Sequence, residues 1–152
     1  MLFKFLANYS DNAPIVLRIG LGLTQVFSHG LPKLLEGPER WEPLGRAMGN
    51  IGITFAPMFW GFMAGFTEFV GGILLIIGLF VRPTSLVLTF VLFIAAVQNV
   101  VTAGSLGGGR AHPVDAAMGL IALALLGAWK WSLDRKLGLE KPRESVGVRQ
   151  TI

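Results

Sequence analysis

The chain has 152 residues, 53% of them hydrophobic and only 14% charged, with no cysteine and a net charge of +4. Roughly a quarter of a water-soluble domain is charged, so this chain cannot cover a water-facing surface, whereas lipid can cover an apolar exterior. The lack of cysteine excludes disulfides, thiolate metal sites and thiol relays, and the basic residues gather towards one terminus rather than in the patch that nucleic acid requires.

Residues 1–13 read as a retained interfacial lead-in. Lys4 lies among apolar residues, but no small-residue cleavage site follows and Asp11 interrupts the stretch. A first span of about 14–31 starts from Asn12 as N-cap, with Pro14 in the first turn, where its missing N–H costs nothing. The connection from Pro32 to Pro57 mixes Glu36, Glu39, Arg40, Glu42 and Arg46 with Trp41 and Leu44. A short surface helix is expected there, with Trp41 at headgroup level. Spans of about 58–80 and 84–103 flank Arg82-Pro83, a tight turn that makes them an antiparallel hairpin. Gly104 to Arg110 is a flexible link rather than a phosphate loop, since no strand precedes it and no Lys-Ser/Thr follows. The fourth span, about 113–131, opens at His112-Pro113 and closes on Trp129, Lys130 and Trp131 as an interfacial anchor. Residues 138–152 are polar, without apolar periodicity, and are expected to be a disordered tail. The fold class is therefore all-α: a polytopic membrane protein whose residues 14–137 form an antiparallel four-transmembrane-helix bundle.

Four spans place both termini on one side. That side holds nine of the lysines and arginines (Lys4, Arg18, Arg82, Lys130, Arg135, Lys136, Lys141, Arg143, Arg149) against four on the other (Lys33, Arg40, Arg46, Arg110). The positive-inside rule then puts both termini in the cytoplasm and the first and third connections outside, which in a bacterium means the periplasm.

With that topology the polar residues converge. Arg18, Gly22, Gln25, His29 and Lys33 follow offsets of 4, 7, 11 and 15, one stripe along the first helix. Gln98, Asn99, His112 and Asp115 come to the same outer end. Glu68 lies about 11 residues into the second span, near the midplane by a rise of about 1.5 Å per residue, on a face shared with Gly61, Gly65 and Gly72. Ionisable groups at membrane depth mark functional sites. Glu68 and His29 are the catalytic candidates, and Arg18, Gln25, His29, Lys33, Glu68, Gln98, Asn99, His112 and Asp115 the ligand-binding ones. A quinone or another amphipathic small molecule suits such a pocket, with apolar walls and a few groups that hydrogen-bond carbonyl oxygens and relay protons. His29 and His112, at one depth on two helices, also permit bis-histidine haem b ligation, and with Asp115 a metal site, although no attachment motif supports the haem. The same polar groups equally serve as interhelical glue, with Glu68 neutral or paired to Arg18 or Gln25.

Four short motifs in order resemble the DoxX family of bacterial membrane proteins. They are Leu17-Arg18-Ile-Gly-Leu-Gly, Ser-His29-Gly30-Leu-Pro-Lys33-Leu, Glu68-Phe-Val-Gly-Gly-Ile-Leu-Leu-Ile-Ile-Gly-Leu-Phe-Val-Arg82, and Trp131-Ser-Leu-Asp134-Arg135. The resemblance, over about residues 15 to 137, implies a four-helix bundle in the bacterial inner membrane. It also implies a subunit or accessory of a quinone-linked oxidoreductase rather than a stand-alone enzyme. The family's recurrent polar positions fall on Arg18, His29, Lys33, Glu68 and Arg82. The expected surroundings are the lipid bilayer and a protein partner or further copies of the chain. Two other functions fit the same pattern: a non-enzymatic anchor or assembly partner, and small-molecule permeation through an oligomer.

Overall fold

A computed structural model describes residues 12–107, 110–129 and 131–140; the expected lead-in, Lys130 and the tail from 141 lie outside the described residues. Every element among the described residues is helical. Helix α1 (Ala13–Leu23) runs without interruption into a π-helical segment, Thr24–Gly30, and then into α2 (Leu31–Glu36). Pro14 takes up the first turn as expected, but the Asn12 side chain makes no capping bond. Gly37, at φ 77°, ends the run where an L side chain would be strained.

Helix α3 (Pro38–Gly45) and a 3₁₀ turn (Arg46–Ile51) fill the first connection. The expected short helix is present, but Trp41 is not a free headgroup anchor. Its indole N–H donates to the Lys33 carbonyl at 2.8 Å, and its ring meets Phe62 edge-on at 5.0 Å. Helices α4 (Pro57–Ile77) and α5 (Val81–Ala103) are each long and apolar enough to cross a membrane. The turn between them starts earlier than expected. Gly78, at φ 73°, closes α4, and the N–H groups of Gly78 and Leu79 both donate to Leu74 at 2.9 Å. Phe80 then stands before α5, and its N–H and that of Val81 donate to the Asp134 carboxylate at 2.7 and 2.9 Å. A helix thus begins on an acid more than 50 residues downstream, with the charge that its dipole favours.

Helix α6 (His112–Leu126) has 15 residues, about 22 Å at the usual rise and shorter than the expected span to 131. Gly127, at φ 78°, breaks it. Arg82 donates to the Ala124 and Leu125 carbonyls at 2.7 and 3.2 Å, and the Ala128 N–H donates to Glu140 at 2.6 Å. The Arg82 bonds serve carbonyls left open at the helix end, and the Glu140 carboxylate takes the N–H of Ala128 just past it. Trp129 and Trp131 both lie at positive φ in the extension that follows, and Trp131 is 80% exposed. A single turn, α7 (Leu133–Lys136), closes the described chain with Ser132 as its cap.

The core is a cluster of Leu75, Val81, Leu88, Leu92, Leu120, Leu123 and Ala128, with Leu17 and Leu21 packed against it, so α1, α4, α5 and α6 all contribute. Helices α1 and α4 come into close backbone approach at Gly22 and Gly72. A Cβ on Gly22 would sit 2.8 Å from the Gly72 carbonyl oxygen, and one on Gly72 would sit 2.7 Å from that of Gly22. Small residues permit this backbone approach. Gly72→Val is expected to force the helices apart and lower the melting temperature in mild detergent by on the order of 5 °C, through overpacking of about 1–3 kcal/mol. An unchanged melting temperature would show that the helices separate freely there.

Candidate functional site

The π-helical segment carries two of the expected polar residues and sets where they point. Adding a residue per turn widens the helix locally, and such segments are frequent at functional sites. Gln25 turns inward and is 1% exposed, while His29 lies half-buried at the edge of the same segment. Across from it, α6 begins with His112, and the two imidazole rings stand 5.0 Å apart at 53°. Asp115, one turn into α6, is exposed.

Between these elements lies a cavity of about 250 Å³, lined by Leu21, Thr24, Gln25, His29, His112, Asp115 and Ala116. Gly119 against Leu21 brings α6 onto α1 just beneath it. The walls hold an unusual polar feature. Neither the oxygen nor the nitrogen of the Gln25 amide has a hydrogen-bond partner among the described residues, and neither has Nε2 of His29. Buried polar groups are nearly always paired, because each unpaired one costs about 1–3 kcal/mol. Thr24, by contrast, donates its hydroxyl proton to the Gly20 carbonyl at 2.8 Å, leaving its oxygen as an acceptor.

The second constellation lies on α4. Glu68 is 1% exposed, and the Lys33 ammonium reaches both of its carboxylate oxygens, at 2.7 and 2.6 Å. Neither Arg18 nor Gln25, the partners expected from the sequence, pairs with it. Lys33 prevails because its stem lies against Gly65, where only hydrogen projects from α4; a Cβ there would come 3.1 Å from the Lys33 Cβ. The face of Gly61, Gly65, Glu68 and Gly72 is buried along its length, as read from the sequence.

Other expected members stand elsewhere. Arg18 lies eleven residues before His29, about 16 Å along the helix by backbone rise, and its guanidinium donates to the carbonyls of Ala128 and Trp131 at 2.7 and 2.9 Å. Gln98 accepts a bond from Asn50 at 2.6 Å, and Asn99 donates to the Arg110 carbonyl at 3.0 Å; neither lines the cavity. Arg82 holds Glu140 at 2.7 Å. Arg18, Arg82, Asp134 and Glu140 therefore form a clasp that ties the 128–140 segment to the α4–α5 turn and to α1. The sequence singles out neither Thr24 in the cavity wall nor Glu140 in the clasp. Thr24 lies off the 3.6-residue stripe, at the start of the π segment, and Glu140 looks like one more charge in a polar tail.

The metal and haem arrangements are not assembled. Among the described residues no group of three or more His, Cys, Asp or Glu side chains is placed to hold a metal ion, so His29, His112 and Asp115 do not form a ligand set. The two imidazoles are in direct ring contact at 5.0 Å, and a macrocycle between them would require them to part. The polar cavity suits an uncharged or donor-bearing organic head better than a coordinated ion. Compared with known proteins, residues 13–103 match the DoxX family model, more than half of the chain. No curated protein and no solved structure matches.

Proposed function

The chain belongs to the DoxX family of membrane proteins, and from that premise we propose that it is a membrane subunit of a quinone-linked oxidoreductase or redox-associated complex. In this reading it crosses the bacterial inner membrane four times, as an antiparallel bundle over residues 14–137 with both termini in the cytoplasm. The cavity of Gln25, His29, His112 and Asp115 opens near the periplasmic face and holds the ring of the quinone. The observation that carries the reading is Gln25. A side chain 1% exposed with both amide atoms unpaired, in the wall of a cavity of about 250 Å³, is arranged for a ligand that both donates and accepts. That volume suits a single ring head, below the roughly 300–1,000 Å³ of a drug-sized site. The Lys33–Glu68 pair lies beyond the cavity, one turn past His29, and holds α2 to α4.

The test is purification in mild detergent, solvent extraction and quantification of quinone, followed by titration with a short-tailed quinone. The native chain is expected to retain or bind quinone. Gln25→Leu is expected to weaken binding at least tenfold with an unchanged or higher melting temperature, because an unpaired amide is replaced by an apolar group of similar size. Absence of any quinone binding by the native chain would end this reading. It would favour a second one, a non-enzymatic anchor or assembly partner, which draws support from the mutual neutralisation of Lys33 and Glu68.

A further inference from the structure

Resting on the quinone reading above, we infer that the cavity selects the reduced ligand, a hydroquinone whose hydroxyls donate hydrogen bonds, over the oxidised quinone. The inference follows from the inventory of donors and acceptors in the cavity wall. Asp115 has no ion-pair partner among the described residues, so its carboxylate offers two oxygens that only accept. Thr24 has committed its proton to Gly20 and presents lone pairs. The Gln25 amide oxygen is a third acceptor, and its NH₂ is the one donor whose identity is fixed. His29, through its buried Nε2, and His112 each offer a donor or an acceptor according to tautomer, and they adapt to what they meet. No lysine or arginine lines the cavity. Lys33, one turn beyond His29, has its ammonium held by both oxygens of Glu68.

A quinone brings two carbonyl oxygens, acceptors only. Facing Asp115 and Thr24, they would set acceptor against acceptor and leave both sides unpaired. A hydroquinone brings two O–H donors that satisfy the same groups, while its oxygens still accept from the Gln25 NH₂. Sites built to receive a hydroxyl discriminate strongly against analogues without one, and the exposure of Asp115 at the cavity mouth moderates that discrimination. A preference of at least tenfold for the reduced form is expected. By linkage, a tenfold preference raises the midpoint potential of the bound two-electron couple by about 30 mV.

The test is isothermal titration of the full chain in detergent, under anaerobic conditions, with three ligands sharing one short tail: the quinone, the hydroquinone and the hydroquinone dimethyl ether. The expected result is hydroquinone binding at least tenfold tighter than quinone, with the ether no better than the quinone. Asp115→Asn, which exchanges one acceptor oxygen for a donor at an exposed position, is expected to bring the ratio close to one, chiefly by weakening the hydroquinone. Equal or tighter binding of the quinone by the native chain overturns the preference and leaves the quinone site standing. Binding of none of the three overturns both.

Discussion

Replacing Glu68 by leucine is expected to destabilise the folded chain by about 3–5 kcal/mol, the largest single effect among substitutions near the cavity. The carboxylate is 1% exposed and accepts from the Lys33 ammonium through both oxygens, and Lys33 itself is only 19% exposed. Without Glu68 the ammonium is left in an apolar interhelical setting with neither a counter-charge nor enough water to replace one. Lys33→Met alone leaves the mirror problem, an unpaired carboxylate. The double variant Lys33→Met with Glu68→Leu is expected to recover most of the loss, since a buried ion pair replaced by apolar groups of similar volume is often neutral or stabilising. The check is a double-mutant cycle on melting temperature in mild detergent. A Glu68→Leu variant as stable as the native chain, or losses that simply add, would show that the pair does not hold α2 to α4.

That pair also illustrates how far a sequence can be read. Composition and long apolar runs sufficed to place the helices α4 and α5, because length and apolarity over 20 residues leave few alternatives. The Gly61, Gly65, Glu68, Gly72 face was legible too, since 3.6-residue periodicity holds in a regular helix and all four are buried on it. The partner of Glu68 was not. Three polar groups on one stripe compete for it, and the choice turns on the length of the Lys33 stem and on the space that Gly65 leaves.

The cavity was legible in its members but not in its limits. His29, Gln25, His112 and Asp115 line one cavity, because the fold brings the π segment after α1 to the start of α6. Arg18, placed with them by the same stripe, is instead bound to carbonyls of the closing segment. A stripe says which face a residue occupies and nothing about the depth at which its bonds are made. The π segment adds a second source of error, since no propensity in Thr24–Gly30 marks it, and it shifts the register between Gly22 and Gly30. The end of α6 was misplaced for a related reason: the Arg82 and Glu140 groups that close it come from distant positions in the chain.

Arg18→Met is the second substitution with a large expected effect, about 3–6 kcal/mol for two charge-assisted bonds to otherwise unserved carbonyls. Methionine keeps most of the apolar stem, so the loss reports on the guanidinium, which is buried with 3% of the residue exposed. The bonds end at Ala128 and Trp131. From there the chain continues to Asp134, whose N–H donates to Gly78 and whose carboxylate receives the Phe80 and Val81 N–H groups. Releasing Ala128 and Trp131 therefore loosens the anchor of α5 as well, and frees the backbone at Arg135 and Lys136, whose side chains are already exposed, for trypsin. Faster cleavage at those two positions, together with a lower melting temperature and unaltered ligand binding at the cavity, is the expected pattern. Unchanged cleavage and stability would mean that the clasp does not hold the closing segment. Loss of ligand binding in a variant that keeps its fold would return Arg18 to the cavity, where the helical stripe places it.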